Sequence, residues 1–370
     1  MRLDSLELRE VRLDLVAPFE TSFGRTVARR IILVEARRDG VSGWGECTAP
    51  EEPFFNEEFT EGAWEVLARF VIPSVLKLDK RGPEAVSAAL AQIRGHRMAK
   101  AAVETAVWDL EARSRGEPLW RLLGGARNPI ECGVSIGLQP TVAGLLEKVA
   151  REIDSGYRRI KIKIAPGRDV ELVAAVREHF GDIVLSVDAN SAYSLEDEEV
   201  LRRLDEFDLL MIEQPLRPGD LLDHARLQAG LRTPICLDES IVDDHTARQA
   251  IEIGACRIMN IKLGRVGGHT EARRIAERCA AAGIPVWCGG MLEAGIGRLH
   301  NAAMSALAPF TLPGDVSDSR RYWTQDVVLP RPTVDADGTM RLSDAPGFGA
   351  EVDRARCDEL TVARRTFDRG

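Results

Sequence analysis

Apolar runs of strand length alternate with amphipathic helical stretches along most of the chain beyond Ile130. Such alternation favours parallel strands connected by helices, because each strand of a parallel sheet is buried on both faces. We predict eight strands, the last with the weakest pattern, at residues 132–137, 159–164, 183–188, 209–213, 234–238, 257–263, 284–288 and 311–316. The pattern therefore predicts an α/β fold for this part of the chain.

A polar residue closes most of these predicted strands and recurs at a nearly fixed interval. Lys163, Asp188, Glu213 and Asp238 follow one another after 25 residues each, and Lys262 follows after 24. About 25 residues accommodate one strand, one helix and two short loops, so eight units predict a TIM-type (β/α)-barrel with its chemistry at the carboxyl ends of the strands. An open doubly wound sheet is the alternative, but no Gly-rich phosphate-binding loop follows a predicted strand.

The first 125 residues have a different organisation, in which strands come first and helices follow. Strands are predicted at residues 6–15, 30–36 and 42–46, and helices at 57–78, 83–93 and 98–115. This order is typical of a separate α+β unit. We expect the C-terminal tail, residues 325–370, to return to this unit.

Composition and charge exclude several classes of protein. Hydrophobic residues make up 45% of the sequence and charged residues 29%, which is typical of a globular chain. The formal net charge of −9 argues against a nucleic-acid partner, since phosphate binding requires clustered Lys and Arg. The sequence has no apolar stretch of membrane-spanning length and no signal-peptide pattern, so we expect a cytoplasmic protein with no membrane partner. The seven cysteines lack metal-binding spacing and are expected to be reduced.

Two lysines share one face of the second predicted barrel strand. In the run Ile160–Ile164, period-2 alternation places Lys161 and Lys163 on one face and the isoleucines on the other. If the isoleucines face the helices, both lysines point into the barrel, where neighbouring ammonium groups lower each other's pKa and one lysine can act as a base. For this run alone, a solvated edge strand is the alternative.

Carboxylates close the next three predicted strands, at Asp188, Glu213 and Asp238. Three carboxylates in one cavity repel each other unless a cation lies among them, and ligation by oxygen alone selects Mg²⁺, Mn²⁺ or Ca²⁺ over zinc. We predict Mg²⁺, with Mn²⁺ as a substitute, because a small number of protein ligands leaves positions for water and substrate. Each carboxylate taken singly could instead cap the following helix.

Another inward lysine, Lys262, is predicted on the sixth strand. In a ring of eight strands the second and the sixth are opposite each other, so Lys163 and Lys262 face each other across the cavity. The predicted metal ligands lie on the arc between them. This arrangement places one base on each face of a flat, metal-bound carbanion.

One pattern in the sequence consists of Lys161-x-Lys163, Asp188, Glu213, Asp238-Glu239 and Lys262. Longer motifs accompany it at residues 43–47 (GWGEC), 95–100 (GHRMAK), 187–193 (VDANSAY), 287–293 (WCGGMLE) and 312–315 (LPGD). Together these motifs resemble the enolase superfamily, specifically the o-succinylbenzoate synthase and N-succinylamino acid (N-acylamino acid) racemase family of its muconate-lactonising subgroup. The resemblance extends almost end to end. It implies a capping domain at residues 1–125, on which the tail 325–370 packs, above a catalytic barrel at residues 126–324.

The resemblance also implies a reaction, which is Mg²⁺-dependent abstraction of a proton α to a carboxylate through an enediolate, with Lys163, Lys262 and Lys161 as catalytic residues. If the second lysine returns the proton on the opposite face, an N-succinyl or other N-acyl amino acid is racemised. If a β-hydroxyl group leaves instead, a cyclohexadiene carboxylate becomes o-succinylbenzoate, a menaquinone precursor. Both substrates are small carboxylates with a succinyl arm, and barrels of this family usually form homo-oligomers.

Further residues are expected around the substrate and behind the metal ligands. Phe19 and Phe23 belong to a segment that resembles the family's mobile lid, and glycines after the seventh strand would let the backbone approach a ligand. The residues predicted to contact substrate are Phe19, Phe23, Ser135, Asn190, Gly289, Gly290 and Met291. Glu239 and Arg265 are predicted behind the metal ligands. Arg265 matches an arginine that racemising members tend to carry, although a solvated loop arginine is the alternative.

Two departures argue against related activities. A mandelate-racemase-type site requires a late histidine base, whereas Lys262 occupies the sixth-strand position and Cys288-Gly289-Gly290 closes the seventh strand. Dipeptide epimerases typically carry Asp-x-Asp after the eighth strand, and Asp315 and Asp318 are one residue too far apart. Muconate cycloisomerase and a non-catalytic metal-binding barrel stay open as alternatives, the latter disfavoured because uncompensated buried charges are costly.

Overall fold

The two ends of the chain form one antiparallel sheet. The computed structural model describes residues 2–21, 24–79 and 82–369, and over this part the strands Ser5–Thr21, Gly24–Arg38 and Val41–Cys47 are consecutive neighbours. The strand Thr361–Asp368 pairs with the outer edge of the first strand. The C-terminal segment therefore lies in the sheet of the N-terminal region.

This antiparallel sheet lies between two hydrophobic cores. Ile31 and Leu33 belong to the core that contains the barrel, whereas Ile32 and Val34 belong to a second core, with the helices of the N-terminal region. Consecutive side chains of a strand point to opposite faces, so an unbroken apolar run buries both faces of the sheet. The sheet consequently connects the N-terminal helices to the barrel.

The helices of the N-terminal region pack on the sheet through its third strand. Their bounds are Thr60–Val66, a π-helical turn Leu67–Val71, Ile72–Leu76, Pro83–Leu90, Arg97–Arg115 and Leu119–Leu122. A Cβ atom at Gly43 would lie 2.2 Å from the backbone nitrogen of Leu110, and one at Gly45 would lie 2.1 Å from the carbonyl oxygen of Ala102. These two glycines allow the longest helix to touch the strand with its backbone.

Parallel strands in sequence order form the second sheet. Over the described residues they are, from first to seventh, Gly133–Ile136, Arg159–Lys163, Val184–Asp188, Ile212–Glu213, Ile235–Leu237, Ile258–Ile261 and Val286–Cys288. The helices around them are Val142–Asp154, Val170–Phe180, Glu198–Arg203, Leu221–Gly230, Asp244–Glu252, Leu263–Val266, His269–Ala281 and Gly295–Ser305. The predicted strand–helix alternation is confirmed, with strands shorter than the apolar runs.

The prediction of an eighth regular strand at residues 311–316 is wrong, but this part of the chain closes the ring of parallel strands. Isolated parallel bridges join Phe310 to Val286 on the seventh strand, and Gly314 to Cys132 beside the first strand. Pro313 between them has no backbone N–H to donate to a neighbouring strand. The predicted (β/α)-barrel with an antiparallel capping sheet is confirmed.

Shorter elements are also present. The pairs Ile130–Glu131 with Thr339–Met340 and Val328–Leu329 with Glu351–Val352 are antiparallel, and a helix covers Arg354–Leu360. All seven cysteines belong to the described residues and are free and buried. None of the helices described is long and apolar enough to cross a membrane. The domain boundaries at residues 125 and 324 stay a prediction.

Carboxylates from the N-terminal region hold the barrel by capping two of its helices. Glu104 accepts hydrogen bonds from the backbone N–H groups of His269 (2.8 Å) and Thr270 (3.0 Å), at the start of His269–Ala281. Glu46 does the same for Ala294 and Gly297, at 2.9 and 2.8 Å. The first N–H groups of a helix have no partner within it, so these carboxylates fix the cap above the barrel.

A buried histidine pair lies at the same interface. His300 donates from Nε2 to the carbonyl oxygen of Trp44 at 2.8 Å, so its Nδ1 accepts from His269 Nε2, 2.9 Å away. Both imidazoles are neutral near pH 7, because burial disfavours the charged form of each. Burial lowers the pKa of His300 to about 4, and burial together with His300 lowers the pKa of His269 well below its ordinary value.

This pair should make the folded protein sensitive to acid. Because the pKa of His300 is lowered from 6.5 to about 4, the unfolded chain takes up a proton first, and stability falls as the pH decreases from about 7 to about 4. The loss from His300 alone is about 3 kcal/mol by this linkage. Urea unfolding of the wild type and of His300→Gln, whose amide can still donate to Trp44, should show the steeper pH dependence in the wild type. Equal pH dependence in the two proteins would contradict the assignment.

Candidate active site

A cavity of about 120 Å³ lies at the carboxyl ends of the barrel strands, under the capping sheet. Both regions of the chain contribute to its wall. The described residues that line it are Phe19, Thr21, Thr26, Arg29, Thr48, Pro50, Phe55, Ser135, Lys161, Lys163, Asp188, Asn190, Lys262, Gly290, Met291, Leu292, Glu293, Arg298, Asp315 and Tyr322. Its position is the one at which barrel enzymes carry out their chemistry.

Lys161 lies among carboxylates at the floor of this cavity. Its Nζ is 2.8 Å from Glu213 Oε2, 2.8 Å from Asp315 Oδ2 and 3.4 Å from Asp188 Oδ2. The ammonium group also lies 4.7 Å from the centre of the Trp287 ring. Burial alone would lower the pKa of Lys161, but the carboxylates of Asp315 and Glu213 raise it well above its ordinary value. Lys161 is therefore held as an ammonium ion.

Lys163, two residues further along the same strand, is paired with Asp188 on the neighbouring strand. The two residues are in register, and Lys163 Nζ is 2.6 Å from Asp188 Oδ2. Lys163 also donates a hydrogen bond to Asn190 Oδ1, and Asn190 in turn donates to Glu239 Oε1 at 3.0 Å. Burial alone would raise the pKa of Asp188, but the nearby lysine ammonium groups hold it below its ordinary value.

Lys262 and Arg265 both bind Asp238. Lys262 Nζ lies 2.8 Å from Asp238 Oδ2 and 5.3 Å from the centre of the Phe55 ring, while Arg265 forms an ion pair with Asp238 Oδ1. Arg265 also donates to the carbonyl oxygens of Ile241 (2.9 Å) and Asn260 (2.8 Å) and is only 3% exposed. Arg265 is thus a buried helix residue, and its alternative interpretation as a solvated loop arginine is wrong.

Two further carboxylates have raised pKa values. Glu213 accepts from Asn260 Nδ2 at 2.8 Å, and burial together with the charge of Asp188 raises its pKa to about 7. Burial and Asp238 raise the pKa of Glu239 to about 8. Glu239 Oε2 is buried and has no hydrogen-bond partner among the described residues. The lysine partners therefore compensate the negative charge of these buried carboxylates only in part.

This donor set fits a hard divalent cation, although side chains must move to bind one. Within residues 2–21, 24–79 and 82–369, no three carboxylate, imidazole or thiol groups already converge closely enough to hold a metal ion. Instead, Asp188, Glu213 and Asp238 each pair with a lysine ammonium group. Asp188 and Glu213 are nevertheless in register on adjacent strands, and Glu239 supplies an unpartnered oxygen nearby. All these donors are oxygens, which Mg²⁺ prefers.

Comparison with known proteins identifies the family to which both regions of the chain are similar. Residues 144–356 match the family described as enolase C-terminal domain-like, and residues 5–124 match the mandelate racemase/muconate lactonizing enzyme N-terminal domain. An o-succinylbenzoate synthase from Geobacillus stearothermophilus is 51% identical over 100% of this chain and 98% of its own length. An N-succinylamino acid racemase from Amycolatopsis sp. is 48% identical over 98% of this chain and 99% of its own length.

The fold comparison agrees. A crystal structure of an enolase superfamily member from Listeria innocua Clip11262 matches with a TM-score of 0.97 and 41% sequence identity, over 100% of both chains. The chain belongs to the o-succinylbenzoate synthase and N-succinylamino acid racemase family of the enolase superfamily. The resemblance inferred from the sequence motifs is confirmed, and with it the prediction that the chain is an enzyme.

Most residues predicted around the substrate of this family member lie in the cavity wall. These are Phe19, Ser135, Asn190, Gly290 and Met291, whereas Phe23 lies outside the described residues. Gly289 is not among the described lining residues, and its contact with substrate stays a prediction. A Cβ atom there would lie 2.4 Å from Asn260 Oδ1 and 2.8 Å from Lys262 Cε, so the glycine makes room for these two side chains.

Sequence reasoning missed four charged residues of the cavity, which are Arg29, Glu293, Arg298 and Asp315. Asp315 binds Lys161 and also accepts from Arg159 at 2.6 Å, and its place at the end of the eighth apolar run was the signal that could have found it. Arg29 is buried and donates to carbonyl oxygens of Thr48 (3.0 Å) and Met291 (3.3 Å). No sequence pattern indicates Arg29, because its partners are backbone atoms far away in the chain.

Proposed function

We propose that this enzyme removes the proton α to the carboxylate of an N-succinylamino acid and returns it on the opposite face, so that the substrate is racemised. The observation that supports this most strongly is that Lys163, at the end of the second strand, and Lys262, directly after the sixth, line one cavity. In a ring closed by an eighth segment, these strands are opposite each other. Racemisation requires one proton carrier on each face of the α-carbon.

The metal ion of the proposed reaction is Mg²⁺, held by Asp188, Glu213 and Asp238, with Mn²⁺ as a substitute. When bound, it supplies positive charge that stabilises the enediolate. Arg265 and Glu239 are proposed to position these ligands, since Arg265 binds Asp238 and Glu239 accepts from Asn190.

The remaining residues of the cavity are proposed to bind and orient substrate. Lys161 keeps a fixed positive charge between the carboxylates, where it can stabilise negative charge that develops on the substrate. A small carboxylate with a succinyl arm would lie against the part of the cavity wall formed by Phe19, Ser135, Asn190, Gly290 and Met291. A cytoplasmic location and assembly into a homo-oligomer stay predictions.

Dehydration of a cyclohexadiene carboxylate to o-succinylbenzoate is the second candidate function. It uses the same enediolate and needs only one of the two lysines as base, and a relative that is 51% identical carries the name of this activity. One active site could serve both reactions, because both substrates contain a succinyl arm. The dehydration would place the enzyme in menaquinone synthesis.

The test is proton NMR in deuterium oxide with Mg²⁺ and separate D and L samples of several N-succinylamino acids. We expect the α-proton signal to disappear from both enantiomers. In a separate sample that contains the cyclohexadiene carboxylate, formation of o-succinylbenzoate and water would add the second activity. Turnover of muconate alone would indicate a muconate cycloisomerase instead. Thermal stabilisation by Mg²⁺ without any α-proton exchange or dehydration would favour a non-catalytic metal-binding barrel and overturn the proposal.

A further inference from the structure

Gln214 has an unusual position directly after the proposed metal ligand Glu213. Its side chain is fully buried, and its φ of 38° lies in the left-handed region, which is unfavourable for a residue with a long side chain. Strain of this kind persists only where the surrounding structure holds the residue firmly. The contacts of the side chain show what holds it.

The Gln214 amide uses all of its hydrogen-bonding capacity within the protein. Its Oε1 accepts from the backbone N–H groups of Asp238 (3.0 Å) and Ser240 (3.2 Å). Its Nε2 donates to the carbonyl oxygen of Leu216 (3.0 Å) and to Ser240 Oγ (2.8 Å). One side chain from the end of the fourth strand therefore fixes the turn that follows the fifth strand, and this turn begins at Asp238.

The backbone of Gln214 extends these connections to the neighbouring strands. Its N–H donates to the carbonyl oxygen of Cys236 at 2.8 Å, and its carbonyl oxygen accepts from Ser191 N at 2.8 Å. Ser191 lies in the loop just after Asp188. Gln214 thus contacts the loops that follow all three strands on which the proposed metal ligands lie.

We propose that Gln214 is a positioning residue that sets the separation of the Glu213 and Asp238 carboxylates for a divalent cation; this inference rests on the proposed function. Glu213 is covalently next to Gln214, and the peptide N–H of Asp238 is fixed by the Gln214 amide. Loss of that amide leaves two buried N–H groups of the turn without an acceptor, so the turn must shift. Metal sites tolerate displacements of only about 0.5 Å, and residues behind the ligands typically change metal affinity by about 10- to 100-fold.

A matched control lies at the amino end of the fifth strand. Gln228 is also a buried glutamine, and it accepts from the backbone N–H of Ile235 at 2.7 Å while donating to the carbonyl oxygen of Thr233 at 3.3 Å. Gln228 therefore holds the amino end of the fifth strand, Ile235–Leu237, as Gln214 holds its carboxyl end. If Gln214 has a purely structural role, substitution of either glutamine should change metal binding to a similar extent. If Gln214 has a positioning role, its substitution should weaken metal binding more than substitution of Gln228.

The experiment compares Gln214→Asn and Gln228→Asn in the full chain. Asparagine tolerates the left-handed backbone, but it is one methylene shorter and cannot reach the turn. Binding of Mn²⁺ is measured by electron paramagnetic resonance of the free ion, and folding by circular dichroism and thermal unfolding. We expect Mn²⁺ to bind about 10- to 100-fold more weakly to Gln214→Asn and within about threefold of wild type to Gln228→Asn. If Gln214→Asn does not fold, Gln214→Met fills a similar volume without hydrogen bonds and should show the same loss.

The outcomes separate this inference from the proposed function. If the wild type binds Mn²⁺ and both glutamine variants bind it as tightly, the positioning role is wrong while the proposed function stands. Equal weakening in the two variants would also overturn it, since general loosening of the fifth strand would then suffice. If the wild type itself does not bind Mn²⁺, the proposed metal site fails and this inference fails with it.

Discussion

Replacing Lys262 with alanine should lower the rate of racemisation of an N-succinylamino acid by about 10²- to 10⁴-fold, the usual contribution of a general acid or base. Lys262 serves as the base for one enantiomer and as the acid for the other, so both directions lose a required group. Lys163→Ala should reduce racemisation to a similar extent. Rates are measured from optical rotation with each pure enantiomer.

The two lysine variants should differ in which α-hydrogen they exchange. In Lys262→Ala, Lys163 can still remove and return a proton on its own face, so one enantiomer should exchange with deuterated solvent while the other stays nearly unchanged. Lys163→Ala should show the reverse preference. Lys148→Ala, on the outer helix Val142–Asp154, is a control that should exchange both. Equal exchange of both enantiomers in either active-site variant would point to a single mobile base or to a bound water.

Removal of divalent cations should abolish activity, and Mg²⁺ or Mn²⁺ should restore it. Without a cation, Asp188, Glu213 and Asp238 each pair with a lysine ammonium group, and the divalent charge that would stabilise an enediolate is missing. Activity is followed by α-proton exchange after treatment with excess chelator and again after addition of each metal.

A variant of one ligand provides the control for this prediction. Glu213→Gln removes one negative charge with little change in volume, so a higher Mg²⁺ concentration should be needed for activity while the circular dichroism spectrum stays the same. Full turnover in excess chelator would contradict the metal requirement. Loss of the spectrum together with activity would instead make Glu213 a structural residue.

The local pattern of the sequence determined the architecture of the barrel and the direction of its lysines. Period-2 alternation in Ile160–Ile164 is a property of one strand, and the structure has the isoleucines in the core and Lys161 and Lys163 in the cavity wall. The 25-residue interval likewise depends only on the length of one strand and one helix. Patterns of this kind can be predicted without knowing the rest of the fold.

Only the tertiary structure decided which groups meet at the site. The pairing of Lys161 with Asp315 depends on closure of the ring by a segment that is not a regular strand. Arg265 is buried, and it donates a hydrogen bond to the carbonyl oxygen of Ile241, 24 residues earlier in the chain. Gly289 likewise leaves room for the side chain of Asn260. Such contacts join residues that are far apart in the chain, and their geometry is set by packing, which no periodicity within a single element encodes.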